Sequence, residues 1–430
     1  MSALESLIAA SGEANLLESL SFDLPASSTA IVDKKVSCRF YPTSASTLSP
    51  TGTRTLRIRV GGNDFIDPSS LRIRYTILET GGVNPLSPVV GPHGVWGLAR
   101  CLVNGVETDN IPQLGRFTEQ FGWRLLTTEQ VHAEAVYGWH GSWDGDPYPT
   151  AGTIAKSSSL TVSHRLLMSV TTSGKFLACR YAPQDYELTL ADPSSWLNTG
   201  SGFSSSFVIQ NVQITANCSV LDESIQEAFY KSLLSNRVLS VPIQQAFQVV
   251  QSIPSGSTTF TFSIVRAFSR LTTAFITFRS KDGILAQEFQ YPSTLNAALT
   301  NAWTAPVFDT DTVAPSIRLS LGSKNIPEYE PVQTVQEHWH MLQSYLPAVP
   351  FLDRKRFCTD TFMSCFDLRR TPGDATSAMS TRSGDQLRFE IKNLAPWSAD
   401  GSLKGPVECH VTLFAFGCLS IREMGCTVLD

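Results

Sequence analysis

Two stretches of the chain, about 200 residues apart, carry the same landmarks in the same order. Residues 98–126 and 317–343 each begin with a strand-like run and continue through a glycine turn, an Ile-Pro pair and a polar segment with a tryptophan. The matching landmarks lie 217, 215 and 216 residues apart, in the pairs Gly105 with Gly322, Pro112 with Pro327, and Trp123 with Trp339. Self-similarity over such a long period is the signature of a repeated structural unit. The chain is therefore predicted to contain two tandem copies of one fold.

Two more pairs place matching landmarks near the start and the end of each copy. Gly52 and Gly256, which each precede a strand, a turn and another strand, lie 204 residues apart. The closing letters GCTVLD at 425–430 resemble NCSVLD at 217–222, and the two cysteines lie 208 residues apart. Loops that differ in length between the copies would make the offsets drift in this way.

The residues between these landmarks follow the two-residue period of β-strands. In residues 54–80, apolar side chains occupy every second position on both sides of the turn letters GGND. This alternation predicts strands that bury one face. Shorter β-rich runs follow at 206–216, 258–268, 274–280, 316–322, 386–394 and 408–421. Because loops rich in Ser, Thr, Gly and Pro separate these runs, the sequence predicts an all-β chain of sandwich or barrel domains.

Few segments are predicted to be helical, and two of them carry apolar side chains at helical spacing. Residues 3–20 carry an imperfect amphipathic stripe of leucine and isoleucine that Gly12 interrupts. Residues 221–237 show a better pattern, in which Asp222 is a candidate N-cap and apolar side chains recur every fourth residue. Because this second segment directly follows NCSVLD, it is predicted to connect the two copies.

The charge content argues against a nucleic-acid-binding arm. Charged residues make up 17% of the chain, the formal net charge is −5, and the first basic residue is Lys34. A flexible arm that neutralises phosphates requires dense Lys and Arg. The short basic run DRKRF at 353–357 is interpreted as a solvated loop. We therefore expect no direct, sequence-specific binding to nucleic acid, and the low charge favours a surface that faces other protein.

The cysteines indicate a reducing compartment. Their number, nine, is odd, and none belongs to a Cys-x-x-Cys motif. A disulfide scaffold and a zinc site are both disfavoured, and buried free thiols are expected. A soluble protein of the cytosol or nucleus is therefore predicted. The cysteines are Cys38, Cys101, Cys179, Cys218, Cys358, Cys365, Cys409, Cys418 and Cys426.

Few residues are candidates for catalysis or metal binding. His338 and His340 form a close pair, but positions i and i+2 of a helix point in nearly opposite directions, so both are interpreted as helix-surface histidines beside a buried Trp339. Asp144 and Asp146 in WDGDPYP are interpreted as turn residues rather than cation ligands. No nucleophile, phosphate-binding or metalloprotease motif occurs. We therefore predict that the protein is not an enzyme and has no catalytic, cofactor-binding or metal-ligating residues.

Residues 206–346 carry a recognisable order of elements. An end-of-domain strand is followed by the helix LDESIQEAFYKSLLSNR, a β-hairpin and a Ser-Arg-Leu turn, and later by a strand ending in LGSK, the Ile-Pro pair and a second helix. This order resembles the double jelly-roll major capsid proteins of Polinton-like elements, adintoviruses and related DNA viruses of the PRD1–adenovirus lineage. The rest of the chain is similar to that family by architecture.

The resemblance implies a particular fold and domain division. The fold would be two tandem eight-stranded jelly rolls, each made of two packed four-stranded sheets, with a few short helices. The chain would divide into an N-terminal helical segment, a first roll, a linker helix and a second roll, at 1–25, 26–221, 222–237 and 238–430.

The resemblance also implies a structural function. Three chains would form a homotrimeric, pseudo-hexameric capsomer, and capsomers would tile an icosahedral shell around a DNA genome. Expected partners are the chain itself, neighbouring capsomers, and penton and minor capsid proteins. Residues 3–20 would lie at the capsomer base against a neighbour, a minor protein or an internal membrane, or else pack on their own domain. The protein would be made in the host cytoplasm, assembled there or in the nucleus, and reside in the virion.

Two alternatives remain open from the residues alone. A tandem β-sandwich that binds or cleaves glycans would use some of the eight tryptophans, and its distant carboxylates would leave no motif. Most secreted proteins of that kind carry a signal peptide and paired cysteines, and neither is predicted here. A two-domain cupin enzyme would need clustered histidines on a strand, whereas the pair in this sequence lies in a predicted helix.

Overall fold

The computed structural model shows a chain built mainly of β-strands. The structure describes residues 32–118, 121, 153–197, 202–235, 238–280, 316–345, 363–392 and 407–429, with short gaps at 63–64, 89–91, 174, 255–256, 258, 372–375, 383–385 and 423–424. Several features singled out in the sequence lie outside the described residues, namely the segment 3–20, Trp123, Asp144, Asp146, Gly256 and the basic run 353–357.

The described strands fall into two groups on either side of a helix. The strands of the first roll are β1 (Val32–Phe40), β2 (Thr47–Leu48), β3 (Thr55–Val60), β4 (Phe65–Ile66), β5 (Arg72–Glu79), β6 (Trp96–Val103), β7 (Val106–Ile111), β8 (Ser159–Arg165), β9 (Leu177–Ala178), β10 (Gln184–Leu190) and β11 (Phe207–Leu221). The strands of the second roll are β12 (Leu239–Ile253), β13 (Thr259–Ile264), β14 (Leu271–Ser280), β15 (Ser316–Leu321), β16 (Lys324–Ile326), β17 (Ser364–Asp367), β18 (Leu387–Lys392), β19 (Val407–Arg422) and β20 (Gly425–Leu429). The α-helices are α1 (Leu114–Phe117), α2 (Pro193–Trp196), α3 (Glu223–Leu234) and α4 (Val335–Tyr345).

The two rolls repeat one strand order. In the first roll, one sheet has the order β8-β5-β11-β1 and the other has the order β3-β10-β6-β7. In the second roll the corresponding orders are β17-β14-β19-β12 and β13-β18-β15-β16. Short strands are added to this plan, since β2 and β4 pair with β11, β9 pairs with β4, and β20 pairs with β19. The predicted repeat is therefore a repeat of topology, with eight principal strands in each roll.

Strand pairing overturns one landmark of the predicted repeat. Cys218 lies in β11, which pairs with β1, the first strand of its roll. The equivalent strand of the second roll is β19, because it pairs with β12 in the same way. Cys426 lies instead in β20, which folds back on β19 as a hairpin. The similar letters GCTVLD and NCSVLD thus do not mark equivalent positions.

One sheet continues from the first roll into the second. Strands β7 and β12 run parallel and pair at Asn110 and Phe247, which joins two four-stranded sheets and β20 into a sheet of nine strands. β12 therefore pairs on both of its edges, with β7 and with β19. Alternation in the sequence specifies which face of a strand is buried but not which edges meet. The sequence for this reason did not predict the continuous sheet.

The predicted alternation in the first strands is confirmed. Leu56, Ile58 and Val60 of β3 are buried, and the residues between them are exposed. Trp96, which is also buried, meets the ring of Tyr75 edge to face at a centroid distance of 5.3 Å. Such aromatic pairs contribute about 0.5–1.5 kcal/mol beyond the area they bury. The core of the first roll is thus fixed by apolar rows and by paired rings.

The turn glycines of the repeat occupy tight β-hairpins. Asn104 and Gly105, between β6 and β7, have φ angles of 48° and 83°. Two successive positive φ angles define a type I′ turn, for which Asn-Gly is the preferred pair. Gly322, between β15 and β16, has a φ of 57°. The repeated glycine is therefore a backbone requirement of equivalent hairpins.

The predicted connector is a helix, α3, which lies between the two groups of strands. Its side chain Phe229 packs on Phe65 of the first roll, with ring centroids 5.5 Å apart. Ile225 packs in the same small cluster beside Leu221, the last residue of β11. The helix is thus anchored to the first roll at the point where that roll ends.

Replacing Gly115 with Ala is expected to destabilise the first roll. A β-carbon at Gly115 would lie 2.7 Å from the Cα of Gly94, and because that atom belongs to the backbone, α1 would have to move. Overpacking of this kind typically costs about 1–3 kcal/mol. The matched control is Gly61→Ala, whose new methyl group would meet Pro183 at an ordinary 3.5 Å. Urea unfolding measures both variants, and equal midpoints for the two would contradict the close approach.

Candidate functional site at the junction between the rolls

The junction between the rolls is held by strand pairing and by one buried amide. Gln245 of β12 donates a hydrogen bond from Nε2 to the backbone carbonyl of Thr108 in β7, at 2.8 Å. The Gln245 side chain lies next to the paired residues Asn110 and Phe247 along the same two strands, and Gln245 is buried. Leaving a buried polar group without its partner costs about 1–3 kcal/mol. Gln245 therefore stabilises one specific alignment of the two rolls.

Asp109 forms the polar centre of the junction. Its carboxylate accepts hydrogen bonds from the backbone N–H of Ser169 at 3.1 Å, from the Ser169 hydroxyl at 2.6 Å and from the Thr108 hydroxyl at 3.2 Å. Asp109 is 2% exposed, so these donors replace the water that the carboxylate loses. The same carboxylate ties β7 to the segment that follows β8.

Burial makes Asp109 a weaker acid than an exposed aspartate. Burial raises the pKa of Asp109 to about 6, against the opposing effect of the hydrogen bonds from Ser169 and Thr108. The ionised carboxylate is thus less favourable in the folded protein than in the unfolded chain. Ionisation of Asp109 should therefore weaken the folded state as the pH rises.

Aromatic rings from both rolls pack beside this polar centre. The ring of Phe121, from the first roll, lies 5.1 Å from the rings of both Phe275 and Phe414, which belong to β14 and β19. Phe117 lies 6.2 Å from Phe414. Tyr345, at the end of α4, packs on Phe275 at 5.6 Å. Most of these pairs are edge to face, which is a preferred arrangement for aromatic side chains.

The rings do not fill the space between the rolls. A half-open cavity of about 220 Å³ remains, and we name it the junction cavity. Its wall is mainly apolar and includes Phe117, Phe121, Met168, Phe275, Tyr345 and Phe414. Ser169, whose hydroxyl donates to Asp109, also lines it. The polar and apolar parts of the junction therefore meet at this cavity.

The predicted helix separates the two histidines of HWH. His338 is buried, with its Nδ1 2.9 Å from the Ser364 hydroxyl, whereas His340 is exposed. The interpretation as a surface histidine is therefore confirmed for His340 and wrong for His338, and Trp339 is half-buried rather than buried. The reason is that α4 packs on β17, which turns His338 inward. The pair does not converge on one point.

Two histidines and two cysteines elsewhere in the described core are neutral packing residues. The rings of His93 and His164 lie 6.3 Å apart, and burial lowers the pKa of both, that of His164 to about 4. Burial also raises the pKa of the Cys101 and Cys409 thiols, which makes them poor nucleophiles. The cysteines of the described residues are free, as predicted.

Metal clusters and membrane-spanning helices are both absent from the described residues. Within those ranges, no group of three or more His, Cys, Asp or Glu side chains is arranged to hold a metal ion. No helix in the same part of the chain is long and apolar enough to cross a membrane.

Known proteins resemble this chain in fold but not detectably in sequence. No protein-family model matches the chain, and no curated protein matches it. Solved structures, in contrast, match almost its whole length. VP54 of PBCV-1, in a crystal structure fitted into a reconstruction of the virophage Sputnik, matches with a TM-score of 0.65 and 9% identity, over 92% of this chain and 96% of that chain.

Two further structures match equally broadly. The Faustovirus major capsid protein has a TM-score of 0.59 and 9% identity, over 97% of this chain and 96% of that chain. A chain of the Sputnik virophage structure has a TM-score of 0.59 and 6% identity, over 95% and 91%. These neighbours are double jelly-roll capsid proteins. The chain has the double jelly-roll fold. The predicted fold class is therefore confirmed.

The double jelly roll contains junction residues that the sequence analysis missed. Neither Gln245 nor Asp109 belongs to a known motif. One signal was available for Gln245, because it continues the alternating row of Val241 and Ile243, which are both buried. A polar side chain in a buried row requires a hydrogen-bond partner. The identity of that partner depends on the contact between rolls.

Replacing Asp109 with Asn is expected to flatten part of the pH dependence of stability. In the wild type the cost of ionising Asp109 is absent below its ordinary pKa of 3.8, grows as the pH rises toward about 6, and is complete above that value. Between pH 4.5 and 7.5 the wild type should therefore lose about 2 kcal/mol of stability relative to the variant. Asp192→Asn is the control, because that carboxylate is largely exposed. Urea unfolding across this range measures both, and parallel curves for wild type and Asp109→Asn would contradict the raised pKa.

Proposed function

We propose that the protein is a major capsid protein whose function is to assemble with copies of itself. The observation that carries the proposal is the fold match to capsid proteins along nearly the whole chain, at TM-scores of 0.59 to 0.65. A charge content of 17% also agrees with a surface that other protein covers. In this role the protein is structural rather than catalytic, uses no cofactor and resides in the virion.

The assembly that we propose is a homotrimer. Each chain contains two rolls with the same strand order, so three chains supply six similar rolls around one axis. Such pseudo-hexameric capsomers would tile an icosahedral shell around a DNA genome. The domain division at 1–25, 26–221, 222–237 and 238–430 belongs to this proposal, as does an affinity with the Polinton-like and adintovirus lineage.

Exposed apolar side chains near α3 are the proposed base of the capsomer. Tyr230 and Leu234 are 51% and 46% exposed and lie one helical turn apart. Val238 and Phe176 are also exposed. The segments of Phe176 and Val238 lie close together, because Nζ of Lys175 is 3.4 Å from the backbone carbonyl of Ser240. We name Phe176, Tyr230, Leu234 and Val238 the base patch.

The start of β1 favours the same end of the molecule. Val32 pairs with Leu221, immediately before α3, so residues 3–20 would begin their path near the base patch. There they would contact a neighbouring capsomer, a penton or minor capsid protein, or an internal membrane. The glycan-binding alternative has no comparable support, since the matched structures named above are capsid proteins or virus capsids.

Light scattering on the purified, untagged protein at two concentrations tests the proposed assembly. A species near 141 kDa, three times the 47.0 kDa chain, or a larger particle built from it, is the expected result. Electron microscopy of that material should show pseudo-hexagonal units. A monomer of 47.0 kDa at both concentrations would overturn the proposal and direct attention to glycans.

Charging the base patch is expected to weaken association. In the double variant Tyr230→Glu/Leu234→Glu, two exposed apolar side chains become acidic, which should weaken contacts between copies by at least about tenfold. Ala228→Glu is the matched control, because Ala228 is exposed and lies about 200° around the same helix from Tyr230. Sedimentation velocity measures all three proteins. Equal association of the double variant and the control would remove the base patch from the interface.

A further inference from the structure

The proposed assembly gives no role to the junction cavity or to the aromatic rings that line it. It lies between the two rolls, and both contribute aromatic rings to its wall. We propose that the junction cavity binds a neutral aromatic molecule of about the size of indole. This site belongs to a single chain, so its occupancy does not depend on whether capsomers form.

The volume of the cavity sets the size of the guest. An apolar cavity of about 150 Å³ in a protein core stays dry and binds benzene. The junction cavity measures about 220 Å³, which leaves room for a second fused ring. Because the cavity is half-open, such a guest can enter without unfolding of the rolls. Larger amphipathic molecules would extend past the mouth into water.

The orientation of the rings favours an aromatic guest over an aliphatic one. The ring planes of Phe275 and Phe414 meet at 90°, and that of Phe121 meets them at 70° and 87°. The three side chains therefore offer ring faces and ring edges in perpendicular directions. An inserted aromatic ring would make edge-to-face contacts that a saturated chain lacks.

A buried carboxylate beside the cavity wall selects a neutral guest. The wall residue Ser169 donates to the buried carboxylate of Asp109, which an anionic guest would approach. Like charges in a poorly solvated site repel strongly. Arg369 lies over the Tyr345 ring, but its charge is already paired with Asp367 at 2.6 Å. A guest carboxylate would thus find no uncompensated cation among these residues.

The mouth of the cavity offers one polar contact. Gln244 lines the cavity and is exposed, so its amide oxygen is available to accept a hydrogen bond from a ring N–H. A neutral heteroaromatic molecule combines that donor with an apolar body. Because the guest would contact both rolls, it would bind the folded chain and not the unfolded one, and so would raise the unfolding temperature.

Thermal unfolding of the full chain with indole tests this site. Indole at about ten times its dissociation constant should raise the unfolding temperature by about 2 °C, and above the dissociation constant the shift should grow with the logarithm of the indole concentration. Indole-3-carboxylate, which has the same rings and a negative charge, is the matched comparison and should give no shift. Isothermal calorimetry should give a stoichiometry of one indole per chain.

Filling the cavity supplies the second test. Ala246 lines the cavity and pairs with Phe414, so Ala246→Phe should occupy the space and abolish the response to indole. Ala45→Phe is the matched control, because Ala45 is half-buried against the core but does not line the cavity. Ala246→Val, which adds only two methyl groups, should bind indole more weakly and keeps the test valid if the phenylalanine variant does not fold.

Each outcome decides the proposal. Saturable binding of indole in calorimetry, with a thermal shift that is lost in Ala246→Phe and kept in Ala45→Phe, supports the site. The absence of a saturable response in the wild type overturns it. An equal response to indole-3-carboxylate, or an unchanged affinity in Ala246→Val, would overturn it as well, because the guest would then bind elsewhere.

Discussion

The parallel pairing of β7 with β12 determines how this molecule is built. It joins a sheet of the first roll to a sheet of the second, and the hydrogen bond from Gln245 to Thr108 fixes the alignment of the two. An unpaired edge strand is a template for pairing with other chains. We call this β7–β12 pairing the seam. It connects the rolls, and it also supplies backbone hydrogen-bond partners to two strand edges that would otherwise stay unpaired. The aromatic rings around Phe121 have their positions because this pairing brings the rolls together.

Local features of the sequence were sufficient to predict the strands and the repeat. Leu56 and Ile58 alternate with arginines because one face of β3 is buried, and such a period is visible in any one strand. Gly105 and Gly322 stand at equivalent hairpins because both turns require positive φ angles. The connector helix could be predicted for the same reason, since its apolar spacing is a property of a short segment. The position of residues 3–20 is still a prediction.

Features that depend on contacts between distant segments could not be predicted. The similar letters around Cys218 and Cys426 suggested equivalence, but only strand pairing shows that Cys426 belongs to an added hairpin. His338 is buried because α4 packs on β17, a contact that helical periodicity alone does not specify. The junction cavity combines residues more than two hundred positions apart, such as Phe121 and Phe414. Its existence follows from how two complete rolls meet.

Because the fold is duplicated, the two strand edges that meet at the seam can be compared. Because the rolls repeat one strand order, β7 corresponds to β16 and β12 corresponds to β1. The seam thus joins two different edges of one repeated unit, which makes it a heterologous contact inside a single chain. β16 and β1 are the counterparts of the two joined edges, and no described strand pairs with their outer sides. A heterologous contact repeated with a constant rotation closes into a ring when that rotation is a whole fraction of a turn. In the homotrimer proposed above, a second copy that placed its β1 beside the β16 of the first would continue the series, and the six rolls of three chains would complete it.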